Sequence, residues 1–526
     1  PSKEEILERN KSLAVSNKAP IFKKYTGHDY YNVSKFDFEK LIDDSNNIDT
    51  NLKDYINGFS DDVKEILDNF EIATIIEKLK KAGLLYLVVQ KFSEINLGAD
   101  TIDNLEMGYM FEELIRKFSE QSNETAGEHF TPREVIELMV EVLLDTDLDE
   151  ITTTDGKVIT ILDPACGTGG MLSIAQNKIR ALNSRTTVVP FGQELNPETY
   201  ATCKSDMILK NNTNSKIVFG NSFSEDGFRE QKFDYILSNP PFGVEWKKVK
   251  NFIENESKHK GYDGRFGAGT PRISDGSLLF LQHMISKMQP IEKGGSRIGI
   301  VFNGSPLFTG DAGSGESEIR KWIIEKDLLE AVIGLPDQLF YNTGISTYVW
   351  ILTNRKTDRR KGKIRLINGT SFFGKMRKSL GNKRNEITES DRKEIVRLYS
   401  TYEHDENYID FDNDDFGYRK ITIERPLYDE NREIVVEKGN PKPNSKLRDT
   451  ETVPFKEDIH EYFKREVLPH VPDAWIDEKK TKIGYEIPFT RHCYKFTPLR
   501  ESSVILDEIK QLEEKIQKSL NELFKG

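Results

Sequence analysis

The spacing of apolar residues changes along the chain, and each change marks a different kind of element. Near the start they recur at helical intervals: Val63, Ile66, Leu67 and Phe70 form one stripe, and Leu84, Leu87, Val88 and Phe92 another. A further helix is expected from Leu105 to Phe118. Thr131-Pro132-Arg133-Glu134 reads as a helix start. Thr131 would be the N-cap, Pro132 the first helical residue and Glu134 the returning capping-box partner. Val135, Ile136, Met139, Val140 and Leu143 then form the buried face of that helix. From residue 157 the pattern shifts to short β-branched runs: Val158–Leu162, Val188–Gly192, Ile217–Phe219, Tyr235–Leu237, Ile298–Phe302, Leu329–Ile333 and Tyr348–Leu352. Such runs alternating with helical stretches predict an α/β domain with a mainly parallel sheet covered on both faces. In sheets of this kind the ligand site lies beyond the carboxyl ends of the strands. Past residue 385 the chain becomes polar and turn-rich, until Ile505, Ile509, Leu512, Ile516, Leu520 and Leu523 line up on one amphipathic helix. The expected organisation is a helical region over 1–125, an α/β domain over 126–385, and a C-terminal region over 386–526 that closes on the helix 503–524.

Bulk properties narrow the setting. A chain of 526 residues allows two to four domains. No apolar run approaches the ~20 residues needed to span a bilayer, and the polar first residues predict no signal peptide. Pro1 in place of an initiator Met is the expected mark of a processed or missing segment. Cys166, Cys203 and Cys493 are scattered without metal-ligand spacing, so no metal site is expected and a reducing cytoplasm is. The net charge of −12 argues against a uniformly basic DNA-binding surface. Charge is segregated, however: residues 354–384 hold twelve Lys or Arg and a single acid, Asp358. That stretch reads either as a solvated loop or as a phosphate-contacting ridge, and charge alone does not choose.

Two constellations carry chemistry. Asp163-Pro164-Ala165-Cys166-Gly167-Thr168-Gly169-Gly170 follows the first strand and opens a helix. Glycines at such a bend let the backbone approach a nucleotide-type cofactor closely. The run lacks the Lys-Ser/Thr ending of a P-loop and the spaced glycines of the dinucleotide fingerprint. Asp163 offers a carboxylate that orients the loop or accepts from an ammonium group. The second strand closes on Glu194, where an acid suits a ribose diol. The third ends near Asn221, whose side chain can meet an adenine edge.

After the fourth strand comes Asn239-Pro240-Pro241-Phe242. Two prolines stiffen this loop, which presents the Asn239 side-chain oxygen and nearby carbonyls as acceptors beside an aromatic ring. That suits a planar base carrying an NH₂ group. The adenine amine is a poor nucleophile because its lone pair is delocalised into the ring. Acceptors that take its two hydrogens favour a pyramidal nitrogen, which can attack an electrophilic methyl in line without metal or strong base. The base must leave the duplex, at a few kcal/mol, and stacking on Phe242 returns ~1–3 kcal/mol.

These residues resemble the N6-adenine amino-methyltransferases, and the likeness extends to modification subunits of type I restriction-modification enzymes. Glu128-His129-Phe130-Thr131-Pro132-Arg133 is similar to the family's first cofactor motif, Asp163–Gly170 to its S-adenosylmethionine loop, Glu194 to its ribose-binding acid, and Asn239–Phe242 to its catalytic loop. Phe340-Tyr341-Asn342-Thr343-Gly344-Ile345 and Glu466–Asp473 are also similar. Many relatives carry Asp where Asn221 stands. The resemblance implies a Rossmann-like S-adenosylmethionine-dependent methyltransferase core, a helical N-terminal domain and a C-terminal helical extension. It also implies methylation of DNA in complex with a specificity subunit, two modification subunits to one, which restriction subunits can join. The helix 503–524 would dock on the specificity subunit. Base readout would then lie on another chain, which fits the acidic net charge. The rivals are a stand-alone adenine methyltransferase, a glutamine methyltransferase acting on protein (that loop usually ends in Tyr) and an inactive scaffold.

Overall fold

All the β-branched runs form strands, each within a residue or two of its expected limits. The computed structural model describes residues 3–11, 20–22, 24, 25, 30–96, 101, 102, 131–210, 212, 214–341, 343–493 and 502–523, with a few single positions from 107 to 117. All but those single positions of the expected helix Leu105–Phe118, and the motif residues Glu128, His129 and Phe130, lie outside them. The strands are β1 (Val158–Asp163), β2 (Thr187–Glu194), β3 (Lys216–Phe219), β4 (Tyr235–Ser238), β5 (Arg297–Asn303), β6 (Leu329–Gly334) and β7 (Thr347–Thr353). Further along come β8 (Lys363–Asn368), the hairpin β9 (Gly374–Leu380) and β10 (Lys383–Glu386), and β11 (Tyr408–Asp412). One nine-stranded sheet runs β11-β8-β6-β7-β5-β4-β1-β2-β3. Five of its eight pairings among the described residues are parallel; β7 runs antiparallel between β5 and β6, and β11 antiparallel on β8. β11, paired with β8, carries the sheet past the 385 limit drawn from the sequence.

Alternation within the strands explains why they read as continuous apolar runs. Ile159, Ile161, Tyr235, Leu237, Val301, Ala331, Ile333, Val349 and Ile351 join one core with the helices Arg133–Leu144, Gly170–Leu182 and Glu389–Ser400. Their neighbours Ile236, Ile298, Ile300, Phe302, Val332 and Trp350 are equally buried on the alternate positions, with Phe302 and Trp350 edge to face at 5.0 Å. A strand buried on both faces has no polar side to display. The chain leaves β1 toward β2 and β3, then crosses to β4 on the other side of β1. The crevice at that reversal lies beyond the carboxyl ends of β1 and β4, where Asp163–Gly170 and Asn239–Phe242 begin.

The N-terminal helices have a core of their own, built from Leu41, Ile48, Leu52, Ile76, Leu85 and Val89. Within the helix Leu85–Ser93 the buried face is Leu85 and Val89, whereas Leu84, Leu87 and Phe92 of the expected stripe are about half exposed. The segment is apolar almost all round, so spacing alone does not select its inner face. These helices meet the α/β part where Glu65 accepts from Tyr200 Oη at 2.6 Å and from Lys204 Nζ at 2.7 Å. Past the sheet, β12 (Gly417–Glu424) centres a small antiparallel sheet. Arg320 ties it to the body by donating to the Tyr485 carbonyl at 2.6 Å and the Thr309 carbonyl at 2.8 Å. Residues 488–526 form a separate unit. It holds the helix Ser502–Leu523, on which Ile505, Ile509, Leu512 and Ile516 are exposed.

Candidate active site

The bend after β1 is built by close packing. Gly167 and Gly169 adopt positive φ (53° and 84°), and a Cβ on Gly169 would stand 2.7 Å from Cys203 Sγ, so only glycine fits there. Gly170 opens the helix. Three side chains then lock the loop. Glu194, buried at the end of β2, accepts the Gly167 N–H on Oε2 and the Asn196 N–H on Oε1, both at 2.8 Å. Ser222 Oγ, just past β3, donates to the Pro164 carbonyl at 2.5 Å. Asp163 Oδ1 accepts from the Ala165 N–H at 3.0 Å and from Ser238 Oγ at 2.9 Å. Burial pushes the Asp163 carboxyl up to about 7, and the nearby Glu194 charge adds to the rise.

Ser238 is the last residue of β4, so its bond to Asp163 couples the glycine loop to the loop that starts at Asn239. Asn239 donates from Nδ2 to Thr131 Oγ1 at 2.9 Å. Among the described residues its Oδ1 is buried without a hydrogen-bond partner. Thr131 is therefore not the helix cap: Pro132 holds the cap position without a side-chain bond, and the helix begins at Arg133. Glu134, the expected capping partner, instead pairs with Lys383. Both departures have one cause, since each side chain is engaged by a residue more than a hundred positions away.

Both constellations open on one cavity of about 820 Å³, whose lining includes Thr131, Asp163, Gly167, Glu194, Asn221 and Asn239. Arg133, Ala165, Thr168, Gly170 and Pro241 also line it. Pro132, Gly169, Pro240 and Phe242 are not in its wall. Phe242 packs against the main core, with its ring edge to face on Phe340 at 6.4 Å. Asn221 spends its amide oxygen on the Phe223 N–H at 2.9 Å and the Ser224 N–H at 3.3 Å. Nδ2 is thus left as its uncommitted group among the described residues. Sequence reasoning missed Ser238 and Ser222, and also an aromatic wall of Phe223, Trp246 and Phe280. A small hydroxyl at the buried end of a strand was the available signal for Ser238. The wall residues are spread along the chain and meet only in the fold.

The size suits a ligand of nucleoside class, within the ~300–1,000 Å³ usual for such pockets. The lining suits one as well: a backbone bend without side chains, a buried carboxylate at a strand tip and an aromatic flank. A cofactor bound there would rest on Asp163–Gly170 and Glu194, with Asn239 in the same wall.

Comparison with known proteins bears on most of the chain up to residue 417. A family model described as N-6 DNA Methylase matches residues 103–417, and one described as HsdM N-terminal domain matches residues 2–92. The methylase subunit of the type I restriction enzyme MjaIX from Methanocaldococcus jannaschii is 27% identical over 383 residues, which is 71% of this chain and 62% of that protein. The methylase subunit of the type I restriction enzyme HindI from Haemophilus influenzae is 31% identical over 280 residues, 52% of this chain and 55% of that one. The matched region thus spans less than two thirds of each of these relatives. The solved methyltransferase subunit of a type I restriction-modification system from Streptococcus thermophilus shares the fold, with a TM-score of 0.61 at 23% identity over 76% of this chain and 81% of that one.

Proposed function

The chain belongs to the N-6 DNA methylase family, and from that premise we propose that it transfers the methyl group of S-adenosylmethionine to the N6 amine of adenine in double-stranded DNA, as the modification subunit of a type I restriction-modification enzyme. The single observation that carries the chemistry is the buried Asn239 oxygen left without a partner while its amide nitrogen is held by Thr131. An orphaned buried acceptor costs ~1–3 kcal/mol, and a bound amine repays it. The cofactor, when bound, supplies an electrophilic methyl on sulfur. The chain's own residues do the rest. Asp163–Gly170 shapes the bed, Glu194 keeps lone pairs for ribose hydroxyls beyond its two backbone bonds, and Asn221 offers Nδ2 to an adenine edge. Thr131 and Arg133 complete the rim.

Asn239 Oδ1 accepts a hydrogen bond from one N–H of the adenine amine, and a carbonyl of the proline-braced loop accepts one from the other. The nitrogen lone pair, withdrawn from the ring, would form the N–CH₃ bond as the S–CH₃ bond breaks, and the methylated amine then releases one proton to solvent. Phe242, backed by Phe340, supplies an aromatic surface at the loop's end. Extrusion of the base from the duplex supplies the access that this loop requires.

Assembly follows the printed character of the relatives, each a subunit of a type I restriction enzyme. A specificity subunit joined to two copies of this chain would read the DNA, and the exposed apolar residues of Ser502–Leu523 suit its helices. The test is transfer from a labelled methyl donor offered both DNA and protein. N6-methyladenine in the digested DNA is the expected product. Label in protein glutamine, or no transfer by a chain that binds the cofactor, would contradict the reading.

A further inference from the structure

Twelve cations crowd residues 354–384, and the fold sorts them into two groups. Seven have partners within the chain, two of them, Lys361 and Lys363, at the surface. Arg355 pairs with Asp147 and Lys356 with Asp327, both at 2.6 Å, and Lys361 with Asp358 and Arg365 with Asp410, both at 2.7 Å. Lys363 stands 3.5 Å from Asp412 and Lys383 pairs with Glu134. Arg360 donates to the Tyr399 carbonyl and lies over the Tyr399 ring at 4.3 Å. An eighth, Arg359, stacks on Tyr402 at 3.5 Å. The other four, Lys375, Arg377, Lys378 and Arg384, are exposed on the β9–β10 hairpin and have no ion pair among the described residues.

The hairpin is planted beside the candidate active site. The Asn382 N–H donates to the Tyr341 carbonyl and the Arg384 N–H to the Gln338 carbonyl, both at 2.9 Å. Asn385 Nδ2 reaches the Asp337 carbonyl at 2.8 Å. That segment contains Phe340, whose ring meets Phe242 of the Asn-Pro-Pro-Phe loop. The second anchor, Lys383 to Glu134, holds the first turn of the helix that follows Thr131, the partner of Asn239. The hairpin is therefore tied to the helix that follows Thr131 and, through Phe340, to the loop that carries Asn239.

We propose that the β9–β10 hairpin is a duplex-contacting arm, whose Lys375, Arg377, Lys378 and Arg384 bind backbone phosphates flanking the extruded adenine. The inference rests on the DNA methyltransferase reading above. A seven-residue strand reaches ~23 Å, while a duplex carries one charge per ~1.7 Å of its axis. The arm thus meets several phosphates without reading any base. Contacts of this kind set register and orientation but carry no sequence information, which leaves target choice to other surfaces.

The test is the triple variant Lys375→Ala, Arg377→Ala and Lys378→Ala of the full chain, in the complex with which it co-purifies. Duplex affinity is measured at graded salt, together with methyl transfer and cofactor affinity. At ~0.9 per phosphate neutralised, the slope of log affinity against log salt should fall by roughly 2 to 3. KM for DNA should rise about tenfold or more, with cofactor affinity and kcat at saturating DNA unchanged. A matched double variant, Lys361→Ala and Lys363→Ala, should leave the slope as it is. An unaltered slope in the triple variant overturns the arm while the native chain still methylates DNA. Loss of a co-purifying subunit with the slope unchanged also overturns it, in favour of a protein partner. A native complex that neither binds nor methylates DNA would instead sink the function reading on which the arm rests.

Discussion

The hydrogen bond between Asn239 and Thr131 runs in one direction, and that direction decides which end of the amide is left for a substrate. With Nδ2 donating to the threonine hydroxyl, the carbonyl oxygen is the free end. Thr131→Val removes the acceptor and lets the amide turn, so kcat should fall about tenfold, the worth of one ~1.4 kcal/mol interaction, at unchanged cofactor affinity. Thr131→Ser should restore it. A loss confined to cofactor KM, with kcat kept, would mean that the hydroxyl serves the cofactor instead. Asp163 yields a pH prediction. Its pKa of about 7 in the folded chain exceeds the unfolded value of ~3.9, so folding is favoured by the proton. That stability is complete below about pH 4 and is lost as pH rises to 7. The non-ionising Asp163→Asn should therefore gain on the native chain between pH 4 and 7 and then level off, as read by denaturant unfolding. A difference that stays flat across that range would contradict the assignment. At this scale the sequence disclosed residue types well and their partners poorly. Asn-Pro-Pro-Phe carries its own stiffness, and Glu194 stands at a strand tip, so both were legible. Thr131 looked like a cap because capping is a local rule, whereas its actual partner lies 108 residues away.

Strands were legible wherever both faces are buried, since Val, Ile and Leu then follow one another without interruption. β8 was not, because Arg365 interrupts Ile364, Leu366 and Ile367 in a stretch dominated by charge. Its guanidinium is nevertheless buried, paired with Asp410 and stacked over Tyr408 at 3.8 Å. The basic stretch is thus neither a solvated loop nor a ridge throughout: part is sheet, and part is the hairpin. Of Arg359, Arg360 and Lys361, the cluster that composition offers for phosphate contact, Arg360 is buried and structural, whereas Arg359 and Lys361 are exposed. Arg360→Ala should lower unfolding free energy by about 3–5 kcal/mol, the usual cost of removing one partner from a buried charged network, with the salt dependence of DNA binding unaltered. A reduced salt slope at native stability would return Arg360 to the DNA surface.

The whole molecule divides its tasks between parts whose charge and surface differ. The overall excess of acid coexists with a cationic arm because the acids and the unpaired cations occupy different segments. Among the described residues no helix is long and apolar enough to cross a membrane. The exposed apolar residues on Ser502–Leu523 belong to a separate unit, so deleting Ser503–Gly526 should leave cofactor affinity intact and weaken recovery of a specificity subunit at least tenfold in pull-down. Undiminished co-purification would remove that role from the helix. Periodicity disclosed this helix plainly, but it says nothing of what the helix packs against.

The central claim is that one buried oxygen of Asn239 prepares the adenine amine for methylation. Its most direct measurement is the N6-methyladenine content of DNA from cells carrying the native gene or Asn239→Ala, with calorimetric cofactor affinity for each purified chain. The account predicts methylated adenine with the native gene, a loss of at least a hundredfold with the variant, and cofactor affinities within about twofold of one another. Undiminished N6-methyladenine in the variant would contradict it.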